Sequence, residues 1–275
     1  MKFLGIIPAR YASTRFPGKP LADMEGKPMI QRVYEQVGST VDQLYVATDD
    51  EHICETVKKF GGHAILTSEE HRSGTDRCYE AFQKVGNGFD VIINIQGDEP
   101  FIQPEQIELL KNCFSQTDTQ IATLVKPFDK NGDFEQTLFN PNTPKVVLNN
   151  YSEALYFSRS VIPYIRGEKY TGWLKAHPFY KHIGLYAYRS DVLKEITALP
   201  PSTLEIAESL EQLRWLQNGY KIKVAVTDQE TTGIDTPEDM EKALEYFRSR
   251  KACNNNKKQR PSNDSRFYTA RGMVL

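Results

Sequence analysis

The 275-residue sequence has only four cysteines, Cys54, Cys78, Cys113 and Cys253, too far apart to form a C-x-x-C pair. That spacing argues against a disulfide framework or a cysteine zinc site and fits reduced thiols. There is no excess of positive charge: the formal net charge is -2, which argues against a general nucleic-acid binder. No apolar run reaches the roughly 18 residues of a membrane span. The apolar start, Met1 to Ile7, meets Pro8 and Arg10 before it could serve as a secretion signal, so a cytosolic location is expected. Two nucleotide-binding signatures are also missing. Without G-x-x-x-x-G-K-[ST] the chain is not a Walker protein, and without G-x-G-x-x-G it does not read as a dinucleotide-dependent dehydrogenase.

What is present is an ordinary globular composition, 39% apolar and 25% charged. In the first half, short β-branched runs alternate with amphipathic segments. Phe3–Ile7, Leu44–Thr48, His63–Thr67 and Val91–Ile95 read as strands. Met29–Val37, Glu51–Phe60 and Asp76–Val85 carry helical spacing, with Gly61, Gly62 and Gly86 as stops. The alternation predicts an α/β fold, doubly wound around a mainly parallel sheet, with ligands at the carboxyl ends of the strands. Beyond about residue 120, further strands are expected at Ile121–Phe128, Lys145–Leu148 and Lys221–Thr227, an extended segment at Ala154–Ile165 and a long loop at Tyr164–Phe179. His182 to Tyr188 alternates at period two, with His182, Gly184, Tyr186 and Tyr188 on one face. Thr203–Asn218 reads as one helix, and a final helix starts with Thr236 as cap, Pro237 in its first turn and Asp239 behind it. These elements predict one domain over 1–250 with a β-rich insertion at about 130–190. From about Lys251 the chain turns polar and basic, and 251–275 is expected to be a disordered tail.

The first strand runs into Pro8-Ala9-Arg10-Tyr11-Ala12-Ser13-Thr14-Arg15-Phe16-Pro17-Gly18-Lys19-Pro20. Three cations, two hydroxyls and a glycine in one loop suit a triphosphate, though a solvated basic loop would carry the same residues. Asp98 follows the strongest strand and Asp235 precedes a capped helix. As isolated residues they read equally as metal ligands, or as a turn residue and a helix-start acid.

Taken in order, the motifs resemble the CMP-Kdo synthetases, or 3-deoxy-manno-octulosonate cytidylyltransferases, of the nucleotidyltransferase superfamily. The resemblance spans about Phe3 to Arg248 and rests on Ile7–Arg15, Pro17–Leu21, Gly26–Ile30, Ala47-Thr48-Asp49, Ser73-Gly74-Thr75-Asp76-Arg77, Gln96-Gly97-Asp98-Glu99-Pro100, Tyr156-Phe157-Ser158-Arg159, Leu210–Arg214 and Asp235–Asp239. It implies a nucleotide-diphospho-sugar transferase-like fold and a homodimer acting on CTP and Kdo, with no nucleic acid or membrane partner. Arg10, Ser13 and Lys19 would hold the CTP phosphates, Pro8 and Ala9 would also bind CTP, and Ser73, Gly74 and Arg77 would form the cytosine side, although Arg77 also reads as an exposed first-turn residue. Asp98 and Asp235 would bind Mg²⁺, and these two with Arg10 and Lys19 would form the catalytic group. Arg15, Gln96, Arg166, His182, Tyr186 and Glu211 would line the Kdo pocket. No general base is evident. Alternatives are a CMP-sialate synthetase, a sugar-1-phosphate pyrophosphorylase, or a catalytically inactive nucleotide-binding regulator; retention of both aspartates speaks against the last.

Overall fold

β1, Phe3–Ala9, is the pivot of the sheet. β2 (Gln43–Thr48) pairs with it on one side and β4 (Val91–Asn94) on the other, both parallel, and β3 (Ala64–Leu66) extends β2. Beyond β4 lie β8 (Tyr180–Arg189), β5 (Ile121–Pro127) and β9 (Ile222–Val226), giving the order β3-β2-β1-β4-β8-β5-β9. β8 alone runs antiparallel within this row, to β4 and β5 alike. The computed structural model describes residues 1–12, 15–230 and 233–258, with the backbone alone from 250. The chain falls into two units, Met1–Gly233 and a second that begins at Ile234.

Alternation along the strands determines which helices cover which face. Leu4 and Ile6 of β1, Ile92 of β4, and Tyr186 and Tyr188 of β8 share a core with Cys78, Ala81, Leu193, Ile196 and Trp215. Those partners come from α3 (Gly74–Val85), α6 (Ser190–Thr197) and α8 (Gln212–Gln217). On the other face, Ile7, Val91, Ile93, Leu185 and Ala187 pack with Ile30, Val33, Ile53, Val57, Ile107 and Leu110. These come from α1 (Met29–Val37), α2 (Glu51–Lys59) and α4 (Pro104–Cys113). At about 1.5–3 kcal/mol for each fully buried Ile or Leu, two such layers supply the main drive for folding. This is the mainly parallel, doubly wound α/β fold expected from the strand–helix alternation.

The second half differs from expectation in three ways. The β-rich insertion is narrower than 130–190, because β8 belongs to the main row. Only the hairpin of β6 (Lys145–Leu148) and β7 (Ala154–Ser158) stands apart, leaning on the start of β8. Lys145 pins it: fully buried, its Nζ donates to the carbonyls of Asn140, Thr143 and Arg159 at 3.0, 2.9 and 2.6 Å. Burial pulls its pKa down to about 8. Next, the loop before β8 contains a short helix, α5 (Trp173–Ala176), whose Trp173 stacks on Phe179 in a small aromatic core. Finally, the helix expected over Thr203–Asn218 breaks into α7 (Thr203–Glu208) and α8, because Ser209 adopts a left-handed conformation with φ 50°. In the second unit α9 runs Pro237–Lys258; of the expected tail, 251–258 continue this helix and 259–275 lie outside the described residues. No described helix is long and apolar enough to cross a membrane.

Candidate active site

The chain leaves β1 at Ala9 and must turn at once to return as α1. The turn is closed by Gly18, whose N–H donates to the Tyr11 carbonyl at 2.9 Å while its φ is +70°, a conformation that favours glycine. A single 3₁₀ turn, Lys19–Leu21, follows and aims Lys19 back over the strand end. The Lys19 ammonium meets Oδ2 of Asp98 at 2.7 Å, with both side chains mostly covered.

Asp98 comes from the turn that follows the neighbouring strand. After β4 the backbone passes so close to β1 that a Cβ on Gly97 would stand 2.9 Å from the Pro8 carbonyl oxygen. Only glycine allows that approach, and it places Gln96 and Asp98 beside the first loop. The third wall is the N-terminus of α3, where Ser73 caps the helix by accepting from the Asp76 N–H at 3.1 Å. A Cβ on Gly74 would lie 3.3 Å from Pro8 Cγ, so this wall also presses against the strand end.

Together these walls enclose a cleft of about 350 Å³, lined by Pro8, Ala9, Arg10, Ala12, Lys19, Pro20, Arg72, Ser73, Gly74, Gln96, Gly97 and Asp98. It lies at the carboxyl ends of β1 and β4, the position expected of a ligand site in a doubly wound sheet. Three cations and a helix N-terminus suit an oligophosphate. Arg72 was not among the residues singled out from sequence. Its signal was present, a cation immediately before a helix cap, but isolated arginines of that kind are common on surfaces.

The other expected site residues divide. Arg77 departs from its expected role. Its side chain is fully buried, with Nη2 donating to Asp49 Oδ2 and Nη1 to Thr67 Oγ1, both at 2.6 Å. It therefore serves the protein interior and does not line the cleft. Arg166 and Arg15 are exposed loop residues outside the cleft lining. Ser13 lies outside the described residues.

His182, Tyr186 and Glu211 sit deeper, along β8 and at the start of α8. Opposite Thr123 and Leu124 of β5, strand β8 pairs Tyr186 and Ile183, leaving Gly184 and Leu185 as a bulge. An even number of extra residues preserves the alternation, so His182 and Tyr186 remain neighbours, ring centroids 5.2 Å apart. Thr123 Oγ1 stitches the bulge, lying 2.9 Å from the Leu185 carbonyl and 3.1 Å from His182 Nε2. Burial lowers the His182 pKa to about 3, so its ring is neutral near pH 7. The Tyr186 hydroxyl is buried without a hydrogen-bond partner among the described residues. Glu211 accepts from Thr75 Oγ1 and Arg214 Nη2, each at 2.7 Å, and burial raises its pKa despite these bonds. Gln96 links the two regions: it lines the cleft and its Nε2 donates to the carbonyl of Gly184 in the bulge at 3.0 Å.

In the second unit, the backbone N–H groups of Asp235 and Thr236 donate to Asp239 Oδ2 at 3.2 and 3.1 Å, and Asp239 N–H donates to Thr236 Oγ1 at 3.2 Å. No group of three or more His, Cys, Asp or Glu suited to a metal is present among the described residues.

The cytidylyltransferase family pattern matches residues 4–222. Among curated proteins, the chain is 73% identical over 250 residues to the 3-deoxy-manno-octulosonate cytidylyltransferase of Parabacteroides distasonis, covering 91% of this chain and all of that one. The Porphyromonas gingivalis protein of the same name is 59% identical, covering 90% and 96%. Among solved structures, a CMP:2-keto-3-deoxy-manno-octonic acid synthetase complexed with CTP superposes with a TM-score of 0.82 at 43% identity, covering 91% of this chain and all of that one. A 4-diphosphocytidyl-2C-methyl-D-erythritol synthase of Anaerococcus prevotii shares the fold, with a TM-score of 0.58 at 15% identity over 90% and 99%. The chain belongs to the 3-deoxy-manno-octulosonate cytidylyltransferase family.

Proposed function

We propose that this protein transfers CMP from CTP to the anomeric hydroxyl of Kdo, giving CMP-Kdo and pyrophosphate and so activating Kdo for lipopolysaccharide biosynthesis. The observation that carries the reading is the cleft at the ends of β1 and β4, where Arg10, Lys19 and Arg72 face the α3 N-terminus. The CTP phosphates lie against these cations. Ser73 and Gly74 hold the cytidine side. The C2 hydroxyl oxygen of Kdo forms a bond to the α-phosphorus as the bond from that phosphorus to the bridging oxygen breaks. Pyrophosphate leaves with the bridging oxygen, and the hydroxyl proton passes to solvent. Arg10 and Lys19 stabilise the negative charge that gathers on the leaving group.

Asp98 suits a hard cation, because its carboxylate borders the cleft and Mg²⁺ is commonly held by one or two carboxylates plus phosphate oxygens and water. Asp98, and by the family resemblance Asp235, would hold Mg²⁺, which supplies charge neutralisation at the phosphates. We place Kdo toward β8, where Gln96 reaches the bulge and the neutral His182 ring and Tyr186 hydroxyl offer polar tips. Arg166 and Arg15 are the candidate partners of its carboxylate. We assign a homodimer on the same resemblance. The test is product identity: CTP, Mg²⁺ and Kdo should yield CMP-Kdo and pyrophosphate in equal amounts, and pyrophosphate without CMP-Kdo would refute the transfer.

A further inference from the structure

The loop between β3 and α3, residues 67–72, delivers Arg72, Ser73 and Gly74 to the cleft, yet most of it is exposed and it has no regular structure of its own. It is held by its own helix. Arg77, Glu80 and Lys84 stand three and then four residues apart, so they share one face of α3. Lys84 Nζ donates to the Leu66 carbonyl at 2.8 Å, where β3 ends. Arg77 Nη1 donates to Thr67 Oγ1 at 2.6 Å. Glu80 Oε2 accepts from the Ser68 N–H at 2.9 Å and also from the ring Nε2–H of His71, the neighbour of Arg72. Lys84 completes the set by pairing with Glu80 Oε1 at 2.7 Å.

Of the three, Glu80 alone grips the loop at two points, one near its start and one beside the cleft. Arg77 and Lys84 reach no further than Thr67. Burial would raise the Glu80 pKa, but donation from Lys84, Ser68 and His71 outweighs it and holds the value at about 2, so the carboxylate is ionised at working pH. An ionised carboxylate can only accept, which requires His71 to present a protonated Nε2.

We propose that Glu80 is a positioning residue for nucleotide binding, which fixes Arg72 and the Ser73 cap in the cleft by clamping Ser68 and His71 onto α3. The proposal rests on the reading of the cleft as the CTP site. Glu80 lines no part of that cleft, so its effect is indirect and specific to the wall that its loop forms.

The test is CTP affinity, measured by titration calorimetry, beside the separate KM values for CTP and Kdo. Glu80→Ala should raise the Kd and KM for CTP about 10-fold, because small misplacements of binding groups are costly. Turnover at saturation and the KM for Kdo should stay within about 3-fold of wild type. Glu80→Gln keeps an oxygen for the Ser68 N–H and should recover most of the loss. On an Arg72→Ala background the Glu80→Ala effect should shrink. Should Glu80→Ala fail to fold, His71→Ala leaves α3 intact and should itself weaken CTP about 3-fold. Unchanged CTP affinity in a folded Glu80→Ala or His71→Ala protein, or equal losses for CTP and Kdo, would overturn the positioning role. Wild-type protein that fails to bind CTP would instead overturn the reading of the cleft.

Discussion

The Lys19 ammonium stands 2.7 Å from Asp98 Oδ2, joining loops 79 residues apart in sequence. As a partly shielded ion pair it contributes modestly to stability, by about 1 kcal/mol at most. Its value lies in preorganisation, since it holds a cation and a carboxylate at the mouth of β1 and β4 before any substrate arrives. Replacing Lys19 by Met or Asp98 by Asn should each reduce turnover by at least on the order of 100-fold, with little change in melting temperature. Steady-state kinetics beside thermal unfolding checks this. Near-normal turnover in either variant would remove that residue from the reaction.

Asp235 is separable from its helix. Thr236 and Asp239 already close the N-terminal cap of α9, with Asp239 accepting from two backbone N–H groups. Asp235→Asn should therefore cost no more than about 1 kcal/mol of stability. Its turnover should fall by at least on the order of 100-fold if the carboxylate serves the metal. A Mg²⁺ titration of kcat reads the difference: a shifted Mg²⁺ requirement identifies a ligand, and an unchanged one leaves only a helix-start acid.

Gly97 allows the backbones of two neighbouring strands' exits to touch. Adding one methyl would place it 2.9 Å from the Pro8 carbonyl, against backbone that cannot rotate away. Gly97→Ala should destabilise by about 1–3 kcal/mol and lower activity beyond that loss, since Gln96 and Asp98 move with it. Chemical denaturation paired with kcat would show both effects. Full activity in this variant would mean that the two loops need not approach so closely.

Of the proposed site, the nucleotide half was more legible in sequence than the sugar half, for physical reasons. Pro8, Ala9, Arg10 and Lys19 share one short loop, and Ser73-Gly74 opens a helix, so local spacing nearly determines their positions. Arg77 looked similar on paper, yet its burial depends on Asp49 and Thr67, which come from other elements. The alternation of His182 and Tyr186 correctly indicated a shared face because the bulge inserts two residues; an insertion of one would have broken it. That β8 lies inside the main sheet could not be read locally, because antiparallel insertion between β4 and β5 is a long-range pairing. The break at Ser209 was equally hidden, since helical spacing continues across it.

The half-buried His182 ring should also leave a signature on acid stability. Its folded pKa of about 3 lies below the ordinary histidine value of 6.5, so between the two the unfolded chain binds the additional proton. Stability attributable to this residue is therefore intact above about 6.5 and declines as pH falls toward 3. His182→Gln should flatten that part of the profile while keeping a polar side chain. Denaturation midpoints at several pH values from 7 to 4 would test it, and parallel profiles for wild type and variant would contradict the burial argument.

The central claim is that this cleft couples CTP to Kdo, and it is tested most directly by pyrophosphate release under omission and substitution. Release should occur only when CTP, Mg²⁺ and Kdo are all supplied, and it should collapse when sialic acid or a hexose 1-phosphate replaces Kdo. Equal or faster release with either replacement would contradict the account.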